Sequence, residues 1–124
     1  GQVKEDMINR WAEFGVVIRE GKISFEPVLL RNKEFLPEPS RFKYFDIQGT
    51  EKMLDLPVNA LAFTYCQTPI VYIQGDSNKI EVLFTDGTKE ELVGSELSNT
   101  LSSKIFSRTG EVGAIKFYCR PLLV

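Results

Sequence analysis

The sequence predicts a mostly β protein, an antiparallel β-sandwich with one short α-helix near residues 95–107. Short apolar runs recur at regular spacing along the chain, and Gly, Pro, Asn and Asp residues separate them. One further segment has an apolar residue at every fourth position, which is the helical repeat. About eight strands and a single helix typically bury their apolar faces by packing in two layers.

The first half of the chain is predicted to hold a short helical lead and several strands. Residues 4–12 have the pattern of one or two helical turns. Three strands follow, at 13–20, 22–30 and 42–49. A turn at Glu20-Gly21 joins the first two, and Pro27 marks an edge or a bulge because it has no N–H to donate. Pro37 and Pro39 indicate that the segment between the second and third strands is a loop.

The second half is more regular. Its predicted strands lie at 61–67, 70–74, 79–84, 88–93 and 111–124. Thr68-Pro69 is expected to join the first pair, and Asp86-Gly87 is the strongest short hairpin signal in the chain. The helix, "SELSNTLSSKIFS", is expected to begin at an N-cap Ser95. Its buried face would carry three apolar residues, Leu97, Leu101 and Ile105.

Composition limits the domain count and the classes of partner. The 124 residues are 43% hydrophobic and 26% charged, which is typical of one globular domain, so residues 1–124 are assigned to a single β-sandwich domain. The net charge of −2 includes no basic stripe, so nucleic acid is not an expected partner. No apolar run approaches the ~20 residues of a membrane span. The compartment is not predicted.

Few groups in the sequence are suited to catalysis. The chain has no histidine and no CxxC, so neither a histidine-based nucleophilic site nor a zinc site is expected, and no cofactor is predicted. Four acids are candidates for a carboxylate pair, namely Glu26, Asp46, Asp55 and Asp86. Asp86 is better explained by its turn, and Asp46 by a solvent-facing strand position. No catalytic residue is therefore assigned.

The two cysteines, Cys66 and Cys119, both fall in apolar, strand-like runs. The simpler interpretation is two buried thiols that pack as small apolar side chains. The alternative is a disulfide, which requires Cα atoms within about 7 Å of each other. Sequence alone leaves both interpretations open.

Aromatic residues are the other candidate functional signal, at 11% of the chain. Most of them, such as Phe63 and Tyr65, alternate along strands as core residues do. Four others, Trp11, Phe14, Phe42 and Tyr44, lie near prolines or the beginning of the chain, where a surface patch is expected. These four are the predicted binding residues, either for docking to another domain or for glycan.

The stretch "GVVIREGKISFEPVLL" carries a family resemblance through Gly15, Gly21, Ile23, Phe25, Pro27 and Leu29. It resembles the segment that follows the last helix of the (α/α)6 barrel in several sugar phosphorylase and glycoside hydrolase families. In those families the chain there enters a C-terminal β-sandwich domain. Where they continue with Pro and Trp, this chain has Leu30 and Arg31.

The resemblance implies a non-catalytic accessory domain of a larger carbohydrate-active enzyme, which supports the catalytic barrel. Residues 1–12 would then be the tail of a preceding helical domain, the partner of this one in the same polypeptide. No activity is expected of this chain alone, although the parent protein would be a glycoside hydrolase or phosphorylase. The alternative is an independent β-sandwich module that binds carbohydrate or protein through exposed aromatic residues.

Overall fold

The computed structural model describes residues 15–26, 38–75 and 77–119 of the chain. These residues form nine strands and one helix. In chain order the elements are β1 (Val16–Arg19), β2 (Lys22–Phe25), β3 (Ser40–Phe45), β4 (Glu51–Leu56), β5 (Ala60–Tyr65), β6 (Thr68–Gln74), β7 (Lys79–Phe84), β8 (Lys89–Val93), α1 (Asn99–Phe106) and β9 (Val112–Cys119). The prediction of a mostly β fold with one short helix is confirmed.

A five-stranded sheet in the order β5-β6-β9-β7-β8 is the centre of the fold. Its neighbouring strands are antiparallel except β6 and β9, which run parallel. β6 lies inside the sheet and has buried residues on both faces, so its sequence is a continuous apolar run rather than an alternating one. β8 is an edge strand of mostly charged residues, a composition that discourages further strand pairing.

One face of this sheet is covered by the β1–β2 hairpin and by α1. The buried residues between the two layers form the main core, listed here in chain order: Ile23, Phe25, Phe63, Ile70, Tyr72, Ile80, Val82, Leu97, Leu101, Ile105, Val112, Ile115, Phe117 and Cys119. Phe25 reaches the centre of this core, where its ring stacks on Phe117 at 5.5 Å and meets Tyr72 edge-on at 6.0 Å. The hairpin is thus an integral part of the domain's core.

Hydrogen bonds join the hairpin to the segment that leads into α1. Ser24 pairs with Glu96 as an antiparallel bridge. On either side of it, Phe25 N donates to Ser95 O and Leu97 N donates to Ile23 O, both at 2.8 Å. These bonds extend the second layer beyond the two strands of the hairpin, which gives the molecule a β-sandwich-like arrangement.

A two-stranded ribbon, β3–β4, carries the remaining small core on the opposite face of the sheet. Buried Leu56, Ala60 and Val71 form this core, and half-buried Phe42 and Leu54 pack against it. The ribbon therefore turns one of its faces toward the sheet.

Several predicted boundaries are wrong. The N-cap of α1 is Ser98 and not Ser95, because residues 95–97 are extended and pair with β2. Leu97 is nevertheless buried, together with Leu101 and Ile105. The β5–β6 turn consists of Cys66 and Gln67. Thr68 and Pro69, which were predicted to form this turn, are the first two residues of β6. β4 was not predicted.

Other predictions are supported by the backbone or lie outside the described residues. Glu20 and Gly21 form the β1–β2 turn, with φ values of 51° and 75°. The hairpin around Asp86-Gly87 joins β7 and β8. The predicted lead helix at 4–12 and the role of Pro27 lie outside the described residues.

Candidate functional site

The predicted binding residues Phe42 and Tyr44 lie two positions apart on β3 and share one side of the ribbon. Their rings are 6.0 Å apart and nearly parallel, with an interplanar angle of 13°. Both side chains are half-buried. Phe42 packs on the small core, whereas Tyr44 lines a cleft. Trp11 and Phe14, the other two predicted binding residues, lie outside the described residues.

The cleft has a volume of about 290 Å³ and lies where the ribbon meets one end of the five-stranded sheet. One wall comes from β3, β4 and the turn between them. The other comes from the beginnings of β6 and β9, the β5–β6 turn and the end of β7. The lining residues are Tyr44, Asp46, Ile47, Gln48, Lys52, Gln67, Pro69, Thr85, Gly110, Val112 and Gly113.

Asp46 organises the ribbon wall of this cleft. Its Oδ1 accepts the backbone N–H groups of Gln48 at 3.0 Å and Thr50 at 2.9 Å, which closes the β3–β4 turn. Lys52 Nζ lies 3.4 Å from Asp46 Oδ2. The hydrogen bond from Thr50, helped by Lys52, lowers the pKa of the Asp46 carboxyl. At neutral pH the wall therefore carries one negative and one positive group side by side.

Gln67 connects this wall to the sheet. Its Nε2 donates to the backbone carbonyl of Asp46 at 3.3 Å. Gln67 is the second residue of the β5–β6 turn, and both Cys66 and Gln67 have positive φ, at 50° and 62°. Two-residue hairpin turns with positive φ at both positions match the twist of the strands they join, so this turn fixes the backbone from which the Gln67 side chain lines the cleft.

The four acids considered for catalysis are each occupied by a partner of their own. Arg19 pairs with Glu26 at 2.7 Å, Arg41 with Asp55 at 3.4 Å and Lys52 with Asp46. Asp86 accepts the hydroxyl and the backbone N–H of Thr88, and these bonds lower the pKa of its carboxyl. In the parts of the chain that are described, no group of three or more His, Cys, Asp or Glu side chains could hold a metal ion.

The two thiols are too far apart to form a disulfide with each other. Cys66 precedes the start of β6, whereas Cys119 pairs in register with Gln74 at its end. Six strand residues separate these ends by about 20 Å, well beyond the reach of one disulfide. Cys119 is buried, and burial raises its pKa to about 11. Cys66 is only half-buried and belongs to a turn, which corrects its predicted place inside a strand.

Sequence reasoning missed Lys52, Gln67 and Thr85 as members of the cleft. Lys52 belongs to the unpredicted β4, where it pairs in register with Tyr44. The signal that could have located it is the Asp46–Gly49 stretch, which is an Asx-type turn between two strands. Gln67 and Thr85 come close to the ribbon only through the tertiary fold.

Comparison with known proteins gives no family. No protein-family profile matches the chain, and no curated protein sequence matches it significantly. Among the helices of the described ranges, none has the length and apolar character needed to cross a membrane.

Proposed function

We propose that this chain is a non-catalytic accessory β-domain of a larger carbohydrate-active enzyme, a glycoside hydrolase or phosphorylase, in which it supports the catalytic barrel. The observation that carries the proposal is the structural role of the first hairpin, because this hairpin bears the resemblance to such enzymes. Four of its six matching positions, Gly15, Gly21, Ile23 and Phe25, are described.

Each of these four residues meets a structural requirement of the fold. Gly15 and Gly21 have φ values of 81° and 75°, a region that glycine adopts without strain. Ile23 and Phe25 are each 1% exposed in the main core. The glycines of the hairpin pattern thus stand at positive φ, and its apolar residues stand in the core. Such structural positions are the ones that members of a protein family share, which supports the resemblance.

The chemistry of the acids also favours a supporting role. A general acid that works near neutral pH needs a raised pKa, which burial or a neighbouring negative charge provides. Hydrogen bonds in turns instead lower the pKa of Asp46 and Asp86. Both carboxylates act as structural acceptors that close loops, so they are poorly suited to donate a proton to a leaving group.

The experiment compares this chain with the complete gene product that contains it. Both are assayed for hydrolysis and phosphorolysis of aryl glycosides and disaccharides. The complete product should turn over at least one substrate, and the 124-residue chain should turn over none. Turnover by the chain alone, abolished by one carboxylate substitution, would refute the accessory role, as would a gene product with no catalytic region.

Domain docking can be tested through Trp11, the only tryptophan of the chain. We expect acrylamide to quench its fluorescence more strongly in the chain alone than in the complete product, after correction for other tryptophans. A Trp11→Phe variant of the complete product identifies the signal of this residue. Equal and complete protection of Trp11 in both proteins would contradict docking through this residue.

A second candidate function is an independent module that binds carbohydrate or protein. The observation that favours it is the cleft beside Tyr44, in which an aromatic ring lies next to charged and amide side chains. A binding function would not require a larger enzyme. Saturable binding by a gene product that lacks any catalytic region would support this candidate over the accessory domain.

A further inference from the structure

The lining of the Tyr44 cleft combines features that select a particular class of ligand. Its charges cancel locally, because Asp46 and Lys52 lie together at 3.4 Å. A strongly charged ligand would therefore find no net opposite charge at this pair. Half-buried Tyr44 and Ile47 provide apolar surface in the same cleft. The ligand that suits such a lining is uncharged, rich in hydroxyl groups and apolar on one face.

From this lining we infer that the cleft is a binding subsite for a neutral saccharide. A pyranose ring has the required two sides, since its C–H face packs on an aromatic ring while its hydroxyl groups reach polar neighbours. The volume of about 290 Å³ lies at the lower end of small-ligand pockets, which suits about one or two sugar rings. This inference deepens the binding candidate above and does not depend on the accessory role.

The polar side chains of the cleft can both donate to and accept from sugar hydroxyls. The Lys52 ammonium has three N–H donors, of which the contact with Asp46 Oδ2 uses one. The Gln67 amide offers a carbonyl oxygen while its Nε2 holds Asp46 O. The Thr85 hydroxyl donates to Gly110 O at 2.9 Å, so its oxygen lone pairs are left to accept.

The cleft is also preorganised. The β3–β4 turn is closed by two backbone bonds to Asp46, and Gln67 ties that turn to the sheet. The Tyr44 ring stacks in parallel on Phe42, and the Tyr44 backbone pairs in register with Lys52 on β4. A ligand would therefore lose little affinity to the ordering of these side chains.

The test is an NMR titration of the 15N-labelled chain with maltose, cellobiose, lactose, mannobiose and xylobiose, and with sorbitol as the acyclic control. At least one disaccharide should shift the amide signals of Tyr44, Gln67 and Thr85 saturably. Sorbitol has similar hydroxyl groups but no ring face, so it should not. No saturable shift with any of the five disaccharides, or equal shifts with sorbitol, would overturn the inference.

Matched variants locate the binding. Tyr44→Ala should weaken binding of the responding sugar by about three- to tenfold, because an aromatic contact is lost. Phe45→Ala removes a ring from the same strand on the opposite, exposed face, so it should leave affinity unchanged. Unaltered affinity in folded Tyr44→Ala, or an equal loss in Phe45→Ala, would contradict the subsite.

A second pair of variants, one in the cleft and one control outside it, tests the same inference if Tyr44→Ala fails to fold. Gln67→Gly removes the amide while glycine keeps the positive φ, and affinity should fall by about three- to tenfold. Asn59→Gly makes the same kind of change at φ 62°, outside the cleft lining, and should have no effect. Failure of both pairs would refute the saccharide subsite and leave the accessory role untouched, because that role depends on the parent enzyme.

Discussion

The hydroxyl of Ser102 should be a main determinant of how firmly the first hairpin is held. Ser102 is fully buried in α1, and its Oγ accepts the backbone N–H of Ile23 at 2.9 Å. β2 already pairs with residues 95–97 through backbone hydrogen bonds, and the Ser102 hydroxyl adds the next bond along the strand. At this position the acceptor is a side chain and not a backbone carbonyl. Ser102→Ala would leave the N–H of Ile23 buried without its acceptor.

The size of the effect follows from two opposing contributions. A buried donor that loses its acceptor costs about 1–3 kcal/mol. Alanine is a better helix former than serine by about 0.5 kcal/mol, which offsets part of that cost. The free energy of unfolding should therefore fall by about 0.5–2.5 kcal/mol.

The measurement is urea unfolding followed by circular dichroism, with Ser103→Ala as the control. Ser103 is the next residue of the same helix and is exposed, so its substitution changes helix propensity without removing the buried bond. Ser103→Ala should be neutral or slightly stabilising. If both variants have the same stability, the bond from Ile23 contributes nothing and the reasoning about the hairpin is wrong.

Three other predictions concern the core, the thiols and the β3–β4 turn. Leu101→Ala should lower the free energy of unfolding by about 2–5 kcal/mol in the same assay, and a neutral result would mean that the helix is not docked. Native Cys119 should resist alkylation, half-buried Cys66 should react sooner, and both should react in denaturant without reductant; a thiol that still fails to react would indicate a disulfide. Because its pKa is lowered when folded, the Asp46 carboxyl stabilises the protein fully above its ordinary pKa of 3.8 and loses that effect as pH falls through the lowered value. Asp46→Asn should therefore be less stable than the natural chain at neutral pH, with the difference vanishing in acid, and a difference that grows in acid would contradict this assignment.

The parts of the fold that were predicted from sequence are those encoded by neighbouring residues. The β1–β2 and β7–β8 hairpins have Gly21 and Gly87 in their turns, and both glycines have positive φ. The helix was located by apolar spacing, but its beginning was misplaced by one turn. Leu97 fits the apolar spacing of the helix, but it is buried because its backbone pairs with Ile23 in the tertiary structure. It lies before the helix and is not part of it.

The parts that were missed depend on contacts between distant residues. β4 is rich in charged residues because one of its faces is exposed, so its apolar signal is weak. The parallel pairing of β6 with β9 joins residues more than forty positions apart, such as Ile70 and Ile115. The cleft was only half predicted for the same reason, since Tyr44 was identified while Gln67 reaches it through a turn on another sheet.

The two proposals concern different layers of the molecule, and this separation makes them independent in experiment. The first hairpin is fixed on one face of the sheet by Ser102 and the main core. The cleft lies at the junction of the sheet with the ribbon, and among its lining residues Val112 alone belongs to the main core. Substitutions at sites that share no partners usually have additive effects on stability. Ser102→Ala should therefore lower the free energy of unfolding while a folded sample keeps its affinity for a sugar, and Gln67→Gly should lower that affinity in protein that still folds. If Ser102→Ala also abolished binding in folded protein, the hairpin and the cleft would have to be coupled through the sheet between them.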